Sequence, residues 1–241
     1  MYKNIIFDAY GTLLDIHTNE QNDACWEKLA ELLRFYDVNY TAKSLKDTYF
    51  SSCELQMAQG RKTHKHPEVD VVAVFNHILQ NKGKKGNKSL ATHLAQAFRA
   101  MTTEKLRLYD GVEETLSKLK RAGKKLYVLS NSQEVFLKPE LQKLKIDRYF
   151  HGMVFSSQVG YSKPEPAIFE HLLQKYKLAK SQSIYVGNDV DRDIVGAKNA
   201  RLDCLWIHTN QTKDKSLKRP PKYIVEDGDF CKIEQILVKY K

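Results

Sequence analysis

The sequence predicts an α/β protein: a doubly wound parallel sheet with a bundle of helices inserted into it. Three observations carry that prediction. Short apolar runs end in polar or acidic residues, helical periodicities lie between the runs, and residues 16–100 break the rhythm with helical patterns alone. The first run, residues 4–8, is Asn-Ile-Ile-Phe-Asp and leads straight into the Gly11-Thr12 turn, as a buried parallel strand does at a ligand-binding edge. The insert follows. Trp26, Leu29, Leu32 and Leu33 make one amphipathic stripe, and Thr41 opens a second helix that carries Leu45, Tyr49 and Phe50. Val71, Val72, Phe75, Ile78 and Leu79 make a third, and Leu90, Leu94, Ala97 and Phe98 a fourth, with loops at 60–67 and 82–88. The rhythm then resumes. Val112, Leu116 and Leu119 share a helix face that Gly123 ends, before a second run at 124–130. A weaker run at 152–156 precedes a helix that starts at Pro166 and buries Ile168, Phe169, Leu172, Leu173 and Tyr176. Runs at 183–187 and 203–208 and an edge strand at 222–225 complete the sheet. The expected division is a sheet domain from residues 1–15 and 101–241, and a helical unit from 16–100.

Composition narrows the function. With 241 residues, 42% hydrophobic and 28% charged, the chain is long enough and apolar enough to bury a real core. Its formal charge of +10 raises nucleic acid as a partner, but only nine of the 39 basic residues are Arg. Readers of phosphates and bases lean on the planar Arg fork, so nucleic acid is not expected, and the basic run at 118–125 reads as a solvated helix end. The longest apolar stretches, such as 5–7 and 71–75, fall far short of the roughly 20 residues that span a membrane, so no membrane partner is expected. The N-terminus lacks the features of a signal peptide, and four dispersed cysteines at 25, 53, 204 and 231 read as thiols in a reducing cytosol. His64 and His66 have no third ligand nearby and read as a solvated loop.

The chemistry is expected at the strand ends. Asp8 can serve as a nucleophile or a metal ligand, and the glycine at 11 lets the backbone turn beside a bound group. Ser130 and Asn131 end the second run and offer a hydroxyl and an amide to an anion. Lys163-Pro164 opens a helix with an ammonium that can neutralise a phosphoryl group or the nucleophile. The run Gly187-Asn-Asp-Val-Asp-Arg-Asp193 adds carboxylates, and acids gathered near Asp8 would repel one another unless a cation lay between them. Magnesium suits a site of carboxylates, water and substrate phosphate.

Together these motifs resemble the haloacid dehalogenase superfamily, in the subfamily whose helical cap is inserted after the first motif. The matching residues are Phe7-Asp8-Ala9-Tyr10-Gly11-Thr12-Leu13, Leu129-Ser130-Asn131, Lys163-Pro164, and Gly187-Asn188-Asp189 with Asp193, followed by Gly196-Ala197. The resemblance spans nearly the whole chain. It implies a Rossmann-like core and a hydrolase in which Asp8 attacks the substrate and becomes covalently modified, with Ser130 and Lys163 holding the transferred group. By the same resemblance, Asp8, the backbone carbonyl of Tyr10 and Asp189 would bind Mg²⁺, with Asn188 and Asp193 behind them, and Thr12 and Asn131 would assist at the substrate. The implied substrate is a small phosphomonoester.

Two departures keep alternatives open. Most phosphatases of the superfamily have a second Asp two residues after the nucleophile, where this chain has Tyr10, a residue typical of the superfamily's 2-haloacid dehalogenases. A phenol is a poor base at neutral pH, so another group, such as His17, would have to activate water. Dehalogenases, however, carry no acid at the position of Asp189, and tend to have Tyr where this chain has Phe169. A metal-independent 2-haloacid dehalogenase, and a catalytically weak binding protein that kept the fold, remain as alternatives.

Overall fold

The computed structural model describes residues 2–213, 217 and 220–238. Among these the elements run β1 (Asn4–Phe7), β2 (Leu14–Thr18), α1 (Asp23–Arg34), α2 (Ala42–Gly60), α3 (Val71–Gln80), α4 (Lys88–Thr102) and β3 (Thr103–Leu108). They continue with α5 (Val112–Arg121), β4 (Lys125–Ser130), α6 (Glu134–Lys143), β5 (Phe150–Phe155), α7 (Ser156–Val159), α8 (Pro166–Lys175) and β6 (Ser183–Gly187). A single wide turn, Val190–Ile194, leads into α9 (Val195–Asn199), then β7 (Asp203–Ile207), β8 (Tyr223–Val225) and α10 (Phe230–Val238).

Six strands form one sheet in the order β5-β4-β1-β6-β7-β8, every pair parallel, with the weak runs at its two edges. Side chains alternate across β1. Ile5 and Phe7 face a core closed by Leu116, Leu137 and Phe230 from α5, α6 and α10. Ile6 faces the other way, onto Ile168 and Leu172 of α8 and Ala197 of α9. The sheet is therefore covered on both faces, and its inner strands need continuous apolar runs.

Helices α1 to α4 close a third cluster around Trp26, Tyr49, Phe75 and Phe98. Trp26 and Tyr49 lie 4.8 and 5.0 Å from Phe98 between ring centroids. Each helix starts on a side-chain cap: Asn22, Thr41, Asp70 and Asn87 each accept a backbone N–H of the first turn, and Thr41 makes a reciprocal box with Ser44.

Residues 16–18 and 103–108 depart from expectation. They form β2 and β3, which pair antiparallel from Leu14↔Leu108 to Thr18↔Thr103 and carry the chain into the helices and back out. Asp15, buried on β2, binds Lys105 and Arg107 of β3 and anchors the ribbon. No helix among the described residues is long and apolar enough to cross a membrane.

Candidate active site

The parallel register brings the site together. Phe7 lies beside Val128 of β4 and Val186 of β6, so the residues at the ends of these strands, Asp8, Ser130 and Asn188, meet at one edge. They line a recess of about 260 Å³ together with Tyr10, Asn131, Lys163, Asp189 and Asp193. Two glycines make this possible. Gly11 has φ +81°, and a Cβ there would stand 2.9 Å from the Asn188 amide. A Cβ on Gly187 would stand 2.5 Å from the Asp193 carboxyl, so only glycine lets Asp193 fold back beneath β6.

Lys163 is the hub. Its Nζ donates to Asp8 Oδ1 at 2.7 Å, to Asp193 Oδ1 at 2.6 Å and to the Tyr185 hydroxyl at 2.7 Å. Tyr185 in turn donates to Asp193 Oδ1 at 2.9 Å, and Asp193 Oδ2 accepts the Asp189 N–H at 2.9 Å. Burial works against the Lys163 charge, but Asp193 and Asp8 outweigh it and hold the ammonium above its ordinary range. Burial also raises the Asp8 carboxyl, to about 6, against the opposing pull of Lys163.

Several expectations change on this geometry. Lys163 has all three protons committed to Asp8, Asp193 and Tyr185, which leaves none free for a transferred group in this geometry. Asn131 spends its amide on the Lys163 backbone, accepting from Lys163 N at 2.8 Å and donating to Lys163 O at 3.0 Å. Thr12 is fully buried and bonds Asp8 Oδ2 at 3.3 Å and Asn188 Oδ1 at 3.1 Å, so it serves the nucleophile and not a ligand. Lys163 places a cation between Asp8 and Asp193. Asp189 turns Oδ1 to cap the following turn through Arg192 N at 2.9 Å. His17 is exposed, pairs with Glu104 on the ribbon and does not line the recess. The loop with His64 and His66 is not simply solvated. His64 stacks on Tyr161 at 4.5 Å, and Ser162 N donates to His66 O at 2.8 Å. Phe169 is buried edge-on against Tyr185, at 5.0 Å.

Ser130 differs from the others. Its hydroxyl is buried, lines the recess and has no hydrogen-bond partner. A buried orphan hydroxyl calls for a ligand or water. For magnesium, the uncommitted oxygens are Asp8 Oδ2, apart from its long Thr12 bond, and the second oxygen of Asp189. Among the described residues no three His, Cys, Asp or Glu side chains gather as a metal cage. The set therefore fits an ion that takes one or two carboxylates and keeps most of its water, which is how magnesium binds.

Sequence reasoning missed Tyr185, Arg99 and Glu140. A phenol in the middle of a buried strand was a visible signal for Tyr185. The other two had none. Tyr10 donates to Glu140 Oε2 at 2.5 Å, and Arg99 of α4 donates to Glu140 Oε1 at 2.7 Å with its guanidinium 5.2 Å over the Tyr10 ring. Burial, reinforced by Glu140 against the opposing charge of Arg99, pushes the Tyr10 phenol well above its ordinary value, so it is no base.

A family model described as haloacid dehalogenase-like hydrolase matches residues 2–201. A probable phosphoglycolate phosphatase of Pseudomonas putida is 29% identical over 121 residues, which make up 50% of this chain and 48% of that protein. The phosphoglycolate phosphatase of Colwellia psychrerythraea is 31% identical over 205 residues, 84% of this chain and 83% of that protein. The chain spans about half the length of several of the curated relatives that it matches. A 2-haloacid dehalogenase of Pseudomonas syringae pv. tomato DC3000 shares the fold over 100% of both chains, with a TM-score of 0.72 at 20% identity.

Proposed function

The chain belongs to the haloacid dehalogenase-like hydrolases, and from that premise we propose that it hydrolyses a small phosphomonoester through an aspartyl-phosphate on Asp8. One observation carries the reading: Asp8 is buried, held by Lys163 through one oxygen only, and shares its recess with the unpartnered Ser130 hydroxyl. The phosphatases named above support it.

The Asp8 carboxylate is the attacking group, oriented by Lys163 through Oδ1. It forms a bond to phosphorus as the ester oxygen departs with its electron pair, and Ser130 donates to the phosphoryl group in transit. Water then attacks the acyl phosphate, releasing inorganic phosphate and returning the Asp8 carboxylate. Asp8, the Tyr10 carbonyl and Asp189 would hold magnesium, which would supply positive charge to the phosphoryl group. Helices α1 to α4 act as a cap that keeps solvent from the first step and sets specificity. The four free cysteines suit a reducing compartment, the cytosol.

The step that lacks an obvious catalyst is the second. Tyr10 is tied to Glu140 and His17 lies outside the recess. Turnover of an aryl phosphate is therefore expected to show a burst of phenol followed by a slower steady state, read by stopped-flow absorbance. Linear release from the first turnover would show that hydrolysis of the intermediate is fast.

Tyr10 also favours a second reading, halide displacement from carbon, which needs neither proton donor nor metal. Purified protein assayed on 4-nitrophenyl phosphate and on 2-chloropropionate, with and without chelator, separates the two. Phosphate release that stops on chelation and in Asp8→Asn is expected. Halide release that survives chelation would overturn the phosphatase reading.

A further inference from the structure

A larger recess adjoins the one around Asp8. Asn131, Lys163 and Arg192 border both, and the second recess measures about 540 Å³. Its outer wall is the end of α2 and the segment after it, from which Arg61 and Lys65 line the space, with Arg192 opposite.

That wall is held in place. A Cβ on Gly60 would stand 2.4 Å from Pro67, so the chain doubles back tightly at the end of α2. His66 N donates to Glu165 Oε1 at 2.5 Å, and Glu68 N to Gly160 O at 2.9 Å. Pro67 bridges Tyr161, and His64 stacks on the same ring. Residues 64–68 thus form a strap bound to the loop that carries Lys163. Lys65 sits between two anchored histidines, at a fixed place relative to the nucleophile's partner.

The charges in this recess are unbalanced. Arg61, Lys65 and Arg192 line it, each with its side chain exposed to solvent. Two acids border the space, Glu68, which accepts the Ser156 hydroxyl at 2.6 Å on one oxygen and Val69 N at 3.0 Å on the other, and Asp191, so the three cations outnumber the acids. Beside a neutral leaving group the three exposed cations would keep only water as acceptor, whereas an anion would meet them with its own charge, with an Arg fork able to bind it through two hydrogen bonds.

We propose that this recess binds a second anionic group, a carboxylate or a phosphate, on the leaving group of the phosphomonoester. The substrate class is a short-chain phosphate ester with an anion at its far end. This rests on Asp8 as the phosphoryl acceptor.

The test compares three esters of one length: propyl phosphate, 3-phosphooxypropanoate and propane-1,3-diyl bisphosphate. Wild type is expected to favour at least one charged ester over propyl phosphate by about tenfold or more in kcat/KM, mainly through KM; whichever it favours identifies the second group. In Arg61→Ala/Lys65→Ala the preference falls to about one, Arg61→Lys retains much of it, and Lys65→Glu reverses it. Equal kcat/KM for all three esters in wild type, or a preference unchanged in the double variant, would overturn the subsite while leaving Asp8 chemistry intact. Turnover of none of the three, with magnesium supplied, would overturn the phosphatase reading itself and this proposal with it.

Discussion

Burial lifts the Asp8 carboxyl from its ordinary 3.8 to about 6 even with an ammonium 2.7 Å away. The folded state therefore binds this proton more tightly than the unfolded chain. Stabilisation from the group is full below about pH 3.8 and is lost as pH rises through about 6. Activity has the opposite sense, because attack needs the carboxylate. The acid limb of kcat/KM is expected near pH 6. Asp8→Asn should melt at a higher temperature than wild type at pH 7.5, with the gap closing as pH falls to 4. A gap independent of pH would sink this account. Asp8 and Ser130 were legible in the sequence because each closes a recognisable run, and Lys163 because it stands before a proline that opens a helix. The division of work between them was not. The unspent Ser130 hydroxyl and the saturated Lys163 depend on Tyr185 and Asp193, which reach the lysine through a fold that brings distant residues together.

At the scale of elements, the sheet was readable because its inner strands are buried on both faces and so appear as unbroken apolar runs. The ribbon of β2 and β3 was not, because Leu-Asp-Ile-His-Thr and Thr-Glu-Lys-Leu-Arg-Leu are half-exposed and rich in polar residues. Helix α6 also escaped notice. It contains Pro139, which has no N–H for the Val135 carbonyl; Gln96 of α4 donates there instead, at 3.3 Å. The same helix presents Glu140 to Arg99, so α4 and α6 are joined by a largely buried ion pair with Tyr10 attached. Arg99→Ala would strand the Glu140 carboxylate, and the expected loss is about 3 kcal/mol in a denaturant titration, partly restored in Arg99→Lys. A loss below about 1 kcal/mol would mean that water reaches the pair.

For the whole molecule, the surplus of positive charge was visible from the start, but its consequence depends on where the fold places it. Lys118 pairs with Glu114, and Lys120 and Lys124 donate to backbone carbonyls, so the basic run is taken up locally. The net +10 remains as a long-range field around a site for anions. Raising ionic strength from about 20 to about 300 mM shortens the screening length severalfold, and kcat/KM for a charged ester should fall while kcat holds. A rate indifferent to salt would remove steering from the account. The ribbon has a topological consequence. Because β2 and β3 are hydrogen-bonded neighbours, residues 19–102 are the loop of one β-hairpin. The strand order does not depend on the length of that loop, so its helices can change without a strand changing place wherever the contacts of α4 with α6 and of residues 64–68 with the Lys163 loop are kept.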